Sequence, residues 1–308
     1  MKKYDVIAIG ELNVDIILTG LKSLPELGKE IISETFSIVL GSSTAICASG
    51  LAKLGLKTSF IGKTGEDMFA DIVTENLDKN GIDTSNLIID TSINTGATIA
   101  LNKGNDRALV TYLGSIEALT FEDIDKELLK ETRHIHIGSF FLQHNLRPKL
   151  KELFEYAHSI GVTTSLDAGW DDTNTWDFGI WEVLKYTDIF FPNEGEAVNI
   201  TGEVTTKEAI KKLSSICKNV VVKLGPKGAA GMSNGEYVEV PTFDELKPID
   251  TTGAGDSFNS GFIYGFLNGM SLKNAMVYGN ACGSISVTKI GGASSCATIE
   301  EVEKLIKD

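Results

Sequence analysis

Short runs of β-branched and aromatic residues alternate along this chain with longer segments of helical periodicity. The short runs predict strands at Val6 to Ile9, Thr58 to Ile61, His134 to Ile137, Thr163 to Leu166, Ile189 to Phe191 and Val220 to Leu224. The longer segments predict helices at Ser42 to Leu54, Ala70 to Asn80, Arg147 to Ser159 and Lys207 to Lys218. Such alternation is typical of parallel βαβ crossovers. We therefore expect an α/β fold, a three-layer α/β/α sandwich with a mostly parallel central sheet and ligand sites at the carboxyl ends of its strands.

Two segments interrupt this alternation, at about residues 15–40 and 95–113. Both are rich in Ile, Thr, Val and Leu without helical periodicity, and glycines and charged residues divide them. We interpret them as strands of a small β-sheet lid inserted into one domain that spans residues 1–308. The alternative is that both are ordinary hairpins of the main domain.

Charge and composition narrow the possible partners. The 308 residues include 28 basic and 42 acidic side chains, for a formal charge of −14, which disfavours binding to nucleic acid or to anionic membranes. The apolar start is too short for a signal peptide, and no apolar run approaches the roughly 18 residues of a membrane span. The four cysteines lack C-x-x-C spacing, so reduced structural thiols are expected. We expect a soluble, cytoplasmic protein.

The most informative run is Asp250-Thr-Thr-Gly-Ala-Gly-Asp256, which precedes an apolar segment of helical spacing. Gly253, Ala254 and Gly255 can direct successive N–H groups to one point at a helix N-terminus, where an anion is stabilised. Asp256 lies at the edge of this anion hole and is a candidate base for phosphoryl transfer. We expect it to be ionised at neutral pH, given an ordinary pKa near 3.9. Considered alone, the run is equally consistent with an Asp that caps a helix.

Other nucleotide-binding motifs are absent. Phe258 occupies the place of the third glycine of a dinucleotide fingerprint, and the sequence contains no G-x-x-x-x-G-K-[ST] run. A dehydrogenase and a P-loop ATPase both lose support. The four histidines also lack metal-ligand spacing, so a structural or surface role is expected for His134 and His136.

Four other segments precede the Asp250 run along the chain: Gly10-Glu-Leu-Asn-Val-Asp15, Gly41-Ser-Ser-Thr-Ala-Ile-Cys-Ala-Ser-Gly-Leu-Ala-Lys-Leu-Gly55, Pro192-Asn-Glu-Gly-Glu196 and Lys223-Leu-Gly-Pro-Lys-Gly228. With these segments in this order, the chain resembles the ribokinase-like or PfkB carbohydrate kinase family over nearly its whole length. The resemblance implies transfer of the γ-phosphate of ATP to a hydroxyl of a small sugar, with Mg²⁺ and closure of the lid over the site.

The resemblance also implies roles for individual residues. It implies substrate contacts at Asn13, Asp15, Gly41 and Ser42, and a nucleotide site at Asn193, Glu196, Lys223, Gly225, Gly228 and Asn280. Members of the family often bind a monovalent cation beside the anion hole. The corresponding positions here are Asp250, Thr252, Ser286, Lys289, Gly291 and Ser295, so activation by K⁺ is a hypothesis. Lid sheets in this family can pair between subunits, so a homodimer through the lid is a further expectation.

The sequence departs from the family pattern at three positions that bear on the substrate. Ser42 replaces the second of two paired glycines, Ile46 replaces an Asn that contacts the sugar, and Gly169 lies where D-x-N-x-R is common, with its Arg missing. Arg107 and Glu117 are candidates for supplying the lost contacts. The identity of the sugar therefore stays open, and two alternatives remain: a nucleoside kinase, and a sugar-binding regulator without turnover.

Overall fold

The computed structural model describes residues 2–103, 106–243 and 245–307, without the side chains of Asp106 and Arg107. Its strands are β1 (Tyr4–Ile9), β2 (Asn13–Thr19), β3 (Thr35–Leu40), β4 (Thr58–Thr64), β5 (Leu87–Ile89), β6 (Gly96–Lys103), β7 (Asp106–Tyr112), β8 (Thr132–Ile137), β9 (Thr163–Leu166), β10 (Ile189–Phe190), β11 (Asn219–Lys223), β12 (Ala229–Ser233) and β13 (Glu236–Val240). Its α-helices are α1 (Ser43–Lys53), α2 (Met68–Lys79), α3 (Lys126–Leu129), α4 (Leu150–Ser159), α5 (Ile180–Leu184), α6 (Glu194–Thr201), α7 (Thr206–Leu213), α8 (Ala254–Leu267), α9 (Leu272–Ser286) and α10 (Ile299–Lys307).

The larger sheet has nine strands in the order β13-β12-β11-β10-β9-β8-β1-β4-β5. From β11 to β5 every neighbouring pair is parallel, whereas β12 and β13 form an antiparallel hairpin at one edge. The central strands are buried almost completely, as expected of strands with helices on both faces. The predicted α/β sandwich with a mostly parallel sheet is confirmed. The edge hairpin was not predicted.

The smaller sheet has four strands in the order β3-β2-β6-β7. Strands β2 and β6 are parallel, and β3 and β7 flank them as antiparallel neighbours. Both segments that interrupt the βα alternation thus contribute to one separate sheet, as the lid prediction required. Several of its apolar side chains are exposed, including Phe36, Val110 and Tyr112. That all residues form one kinase domain stays a prediction.

Close helix packing fixes the position of α8, whose N-terminus contains the Asp250 run. A Cβ added to Gly50 of α1 would lie 2.3 Å from Ser260 Oγ, and one added to Gly265 would lie 2.9 Å from the Cα of Ala275 in α9. Glycine at these positions lets α1 and α9 approach α8 closely. The middle and the C-terminal part of α8 are therefore packed closely against two neighbouring helices.

Two buried histidines of β8 are hydrogen-bonded to a neighbouring strand. His134 and His136 lie on β8 and share the hydroxyl of Ser165, each at 2.8 Å. Burial lowers the pKa of His134 to about 3 and that of His136 to about 4, so both rings are neutral at pH 7.

Within residues 2–103, 106–243 and 245–307, no group of three His, Cys, Asp or Glu could hold a metal ion. All four cysteines are buried free thiols, and no helix of this part is long and apolar enough to span a membrane.

Candidate active site

A cavity of about 260 Å³ lies between the two sheets. Its lining comes from the segment after β1, the first turn of α1, the inner face of the small sheet and the start of α8. The lining residues are Glu11, Asn13, Asp15, Ile17, Ser42, Ser43, Ile46, Thr98, Ala100, Asn102, Leu109, Thr111, Ile116, Ser139, Leu142, Thr252, Gly253 and Asp256. The structure thus brings the predicted base and most of the predicted substrate residues to one cavity.

The turn before α8 needs glycine at Gly253. This residue caps the helix with a left-handed φ of 74°, and an added Cβ would lie 3.0 Å from both Gly292 Cα and Ile46 Cγ2. The N–H groups of Ala254 and Gly255 belong to the first turn of α8, where helical N–H groups have no acceptor within the helix. Ala254 N also donates to Thr251 O at 3.3 Å, just before the helix, and the role of this turn as an anion hole stays a prediction.

The carboxyl of Asp256 differs from the expected ionised group. Burial and the negative charge of Asp167 raise its pKa to about 8, although Lys223 and a hydrogen bond with Ser43 act in the opposite direction. In the free protein Asp256 is therefore mostly protonated at pH 7, and the expectation of an ionised carboxylate is wrong. An isolated motif could not show this, because Asp167 follows β9 and lies far away in the sequence.

The substrate side of the cavity is organised around Asp15. Asn13 Nδ2 donates to Asp15 Oδ1 at 3.0 Å, and both side chains lie against Gly41. A Cβ on Gly41 would lie 2.4 Å from Asp15 Oδ1 and 2.5 Å from Asn13 Nδ2. Three of the four residues predicted to bind the sugar thus form one packed unit. Only glycine at position 41 leaves room for the other two side chains.

Ser42, the fourth of these residues, caps α1. Its φ is 69°, a left-handed value that favours glycine, and its Oγ accepts from Ala45 N at 2.9 Å while donating to Glu11 O at 2.6 Å. The serine thus keeps a backbone conformation typical of the glycine that the family has there. Two hydrogen bonds of its side chain offset part of the strain.

Glu11 is a site residue that sequence reasoning missed. Its carboxylate is 2% exposed and accepts hydrogen bonds from Thr44 Oγ1 at 2.6 Å, Gln143 Nε2 at 2.9 Å and Ser139 Oγ at 3.1 Å. Burial raises the pKa of Glu11, and its hydrogen bonds with Thr44 oppose that shift. The carboxylate joins the ends of β1 and β8 to the start of α1. Its place directly after a buried strand, at the carboxyl edge of the sheet, was the available signal.

Asn193 and Glu196 form a capping box at the start of α6. Asn193 N donates to Glu196 Oε2 at 2.8 Å and Asn193 Nδ2 donates to Glu196 Oε1 at 2.7 Å, while Glu196 N donates to Asn193 Oδ1 at 2.9 Å. Burial, followed by the charge of Asp167, raises the pKa of Glu196 to about 8. The pair shapes a helix N-terminus next to Lys223, because Asn193 and Lys223 form a parallel bridge.

The predicted nucleotide loop lies between β11 and β12. Gly225 and Gly228 both have positive φ, and a Cβ on Gly228 would lie 2.1 Å from Val240 O, so Gly228 is needed where the loop meets the end of β13. Asn280 Nδ2 donates to Val240 O at 3.0 Å and to Pro241 O at 2.9 Å. Asn280 thus anchors the end of β13 to α9, and its contact with adenine stays a prediction.

The positions predicted to bind a monovalent cation surround the turn before α8. Asp250 Oδ1 accepts from Thr252 N and Asp250 Oδ2 accepts from Gly291 N, both at 2.9 Å. The hydroxyls of Ser286 and Ser295 donate to Gly283 O and Gly292 O. The ammonium of Lys289 pairs with Glu301, and since an ammonium group has no lone pair, Lys289 could bind a cation only through its carbonyl. Asp250 thus connects the anion turn to the loop after α9.

Ile46 and Gly169, two of the three departures from the family pattern, are closely packed. Ile46 packs against Gly253 and Gly292 and also lines the cavity. Gly169 has φ 65°, and a Cβ there would lie 2.9 Å from Ser139 Cα. Glu117 Oε2 lies 2.7 Å from His144 Nδ1, within hydrogen-bond distance, whereas the side chain of Arg107 lies outside the described part of the chain.

Comparison with known proteins bears on the family and the fold. The pattern of the pfkB family carbohydrate kinases matches residues 3–299. A 5-dehydro-2-deoxygluconokinase of Geobacillus thermodenitrificans is 27% identical, over 99% of this chain and 94% of its own length. The solved ribokinase of Arabidopsis thaliana in complex with ribose and ATP is 25% identical and superposes with a TM-score of 0.85, over 99% of both chains. A protein of E. coli described as a ribokinase II, solved with ATP and Mg²⁺, is 25% identical with a TM-score of 0.86, also over 99% of both chains.

Proposed function

This chain belongs to the pfkB family of carbohydrate kinases, and we propose that it phosphorylates a hydroxyl of an uncharged monosaccharide with Asp256 as the base. Membership of the family and the kinase relatives support a sugar kinase. The observation that supports these residue roles best is the position of Asp256, which lines the cavity at the first turn of α8, directly after the glycine turn. A nucleoside kinase with a wider pocket and a sugar-binding regulator without turnover are the alternatives.

In the proposed reaction, Asp15 and Asn13 hold the sugar so that one hydroxyl faces Asp256. The oxygen of that hydroxyl attacks the γ-phosphorus of ATP, the bond from phosphorus to the β,γ-bridging oxygen breaks, and ADP leaves. Asp256 accepts the hydroxyl proton, and a carboxylate whose pKa is raised to about 8 is a stronger base than an ordinary aspartate. The N–H groups of Ala254 and Gly255 stabilise the negative charge on the transferred group.

The residues near Asn193 are suited to a hydrated Mg²⁺ accompanying ATP, and not to a metal site built from protein ligands alone. Both carboxylate oxygens of Glu196 already accept hydrogen bonds from Asn193. The ion would neutralise charge on the phosphates, which supply most of its ligands together with water.

We likewise propose that K⁺ binds at the positions around Asp250 and activates the enzyme. Equal rates in KCl and in tetramethylammonium chloride would refute it.

The charge of the cavity favours a neutral sugar. Its lining contains the carboxyl groups of Glu11, Asp15 and Asp256, and no described lining residue is basic. Within the described lining, a carboxylate or phosphate on the substrate would meet these carboxyl groups and no basic side chain. The Geobacillus relative is named for an acid sugar and the Arabidopsis ribokinase was solved with ribose. We expect this chain to resemble the second in substrate charge.

A substrate screen tests the proposal. Purified protein with Mg·ATP is offered neutral pentoses and hexoses, their acid and phosphorylated counterparts, and nucleosides, and ADP formation is measured. We expect ADP formation with at least one neutral sugar and at least about tenfold lower kcat/KM for its charged counterparts. Preference for a nucleoside or an acid sugar would refute the substrate class. If no compound on the panel stimulates ADP formation although a sugar binds by calorimetry, the silent regulator gains support.

Two further proposals concern the oligomeric state and the location of the enzyme. A homodimer through the small sheet would cover exposed apolar side chains such as Phe36, Val110 and Tyr112. A single species of about twice 33.2 kDa in light scattering is the expected result. We also propose a cytoplasmic location, where ATP is available.

A further inference from the structure

Lys223 ends β11 and lies beside the anion turn. Its backbone N donates to Pro192 O at 3.0 Å, and its side chain is 14% exposed. A Cβ placed on Gly255 would lie 3.4 Å from Lys223 Cδ and 3.5 Å from its Nζ. The ammonium group is therefore in van der Waals range of the second glycine of the turn. A side chain larger than hydrogen at position 255 would contact it.

Asp167 fixes this ammonium group. Asp167 Oδ2 accepts from Lys223 Nζ at 2.5 Å and from Asn259 Nδ2 at 2.7 Å, and the side chain of Asp167 is 6% exposed. The two donors reach the same oxygen from β11 and α8, so the flexible lysine is held from one side. An ammonium has three N–H groups, and the described hydrogen bonds of Nζ use only Asp167 as an acceptor. Donors are therefore left for the oxygens of an anion.

We propose that Lys223 is a catalytic residue that contacts the phosphoryl group during transfer, and that Asp167 is the positioning residue that holds its ammonium against the anion turn. This inference rests on the proposed function, and it extends the role of Lys223 beyond binding the nucleotide. Lys223 lies between the base Asp256 and the N-terminus of α6 at Asn193. During phosphoryl transfer, negative charge moves past this position from the sugar oxygen to the departing ADP. Because the described lining of the sugar cavity has no basic side chain, Lys223 supplies positive charge from the nucleotide side.

The competing explanation is that the two residues form only a structural ion pair. Removing one partner of a buried pair leaves an uncompensated charge and destabilises the fold, whereas removing both charges together avoids that penalty. The double variant Asp167→Asn with Lys223→Gln therefore separates the explanations. A structural pair predicts that the double variant regains both stability and turnover. A catalytic lysine predicts that it regains stability alone.

The experiment compares Lys223→Gln, Lys223→Arg, Asp167→Asn and the double variant by melting temperature, ATP affinity from calorimetry without sugar, and kcat and KM. We expect Lys223→Gln to lower kcat by about 10² to 10³, in the range measured for the loss of one preorganised donor to a transition state. Lys223→Arg keeps the charge and should recover at least about tenfold of that loss. Asp167→Asn should reduce kcat by about tenfold while KM for ATP changes little. The double variant should melt close to the wild type and keep the kcat of Lys223→Gln.

Lys63 offers a matched control. It forms an ion pair with Asp123 at 2.7 Å, and its side chain is 12% exposed, similar to Lys223. Lys63→Gln should lower the melting temperature and leave kcat within about threefold, since its ion pair lies away from the cavity lining. A double variant of Asp167 and Lys223 with wild-type kcat would overturn the proposal. So would a Lys223→Gln protein that loses ATP affinity without losing kcat at saturation. If the wild type itself lacks sugar-dependent ADP formation, the proposed function fails, and the catalytic role of Lys223 fails with it.

Discussion

Replacing Asp256 by Asn tests the base through both rate and pH dependence. The variant keeps the shape of the side chain and loses its ability to accept the hydroxyl proton. We expect turnover to fall by about 10² to 10⁴ while ATP still binds, because general-base catalysis contributes a factor of that size. Wild-type and variant rates are measured by coupled ADP detection at saturating sugar, and ATP affinity is measured by calorimetry.

The raised pKa adds a prediction that an ordinary aspartate would not give. With a pKa of about 8, roughly one molecule in ten of the free wild type has an ionised Asp256 at pH 7, and roughly one in a hundred at pH 6. The kcat/KM for the sugar should therefore rise about tenfold from pH 6 to pH 7 and level off above pH 8. A profile that is flat from pH 5.5 to pH 9 would refute the raised pKa, and near-normal turnover of Asp256→Asn would refute its role as base.

The same pKa has a consequence for stability. In the unfolded chain the carboxyl of Asp256 loses its proton near pH 3.8, whereas in the folded protein it keeps the proton until about pH 8. Between these values the folded state binds more protons, so the free energy of unfolding falls as the pH rises, by at most about 1.4 kcal/mol per pH unit. Asp256→Asn removes this term. Its melting temperature relative to the wild type should increase by at least about 2 °C from pH 5 to pH 8, and an unchanged difference would contradict the assignment.

Three further predictions concern other parts of the chain. Gly41→Ala should raise KM for the sugar at least about tenfold with a smaller effect on KM for ATP, because its Cβ would displace Asp15. Equal changes in both constants would contradict a role confined to the sugar. Ile46→Asn restores the residue that is usual in the family. It should lower turnover rather than widen the choice of sugar, since Ile46 packs against Gly253. Initial rates over the sugar panel decide this. His136 binds fewer protons when folded than when unfolded, so it destabilises the fold as the pH falls from 7 to 5, whereas Asp256 acts in the opposite direction. The melting temperature of His136→Gln relative to the wild type should therefore rise from pH 7 to pH 5, and an unchanged difference would contradict this.

Most of the fold was predictable because hydrophobic periodicity reports local burial. Strands β1, β4 and β8 lie where β-branched runs predicted them, and α1 starts one residue after the predicted Ser42. The hairpin of β12 and β13 escaped prediction because β12 consists of the small residues Ala, Ala, Gly, Met and Ser, which give no strand pattern. Its pairing depends on the neighbouring β11, and sequence periodicity contains no information on neighbours.

The residues of the site could be predicted more fully than their protonation states and hydrogen bonds. Candidate residues could be named because glycine turns and N-x-x-E spacing are local. The pKa of Asp256 depends on Asp167 and Lys223, which come from two other strands, and on burial that only the packed fold provides. Glu11 was missed for a related reason, since its partners Ser139 and Gln143 follow a different strand.

The alternative of a silent regulator had its support in the altered first signature, and the structure weakens that support. Ser42 replaces a glycine, yet it adopts the left-handed backbone that a glycine would provide, and its hydroxyl bonds to Glu11 O and Ala45 N. A strained residue persists only where the surroundings stabilise it. Ile46 loses a hydrogen-bonding group but fills the space behind Gly253. Both changes therefore preserve the two turns that face Asp256.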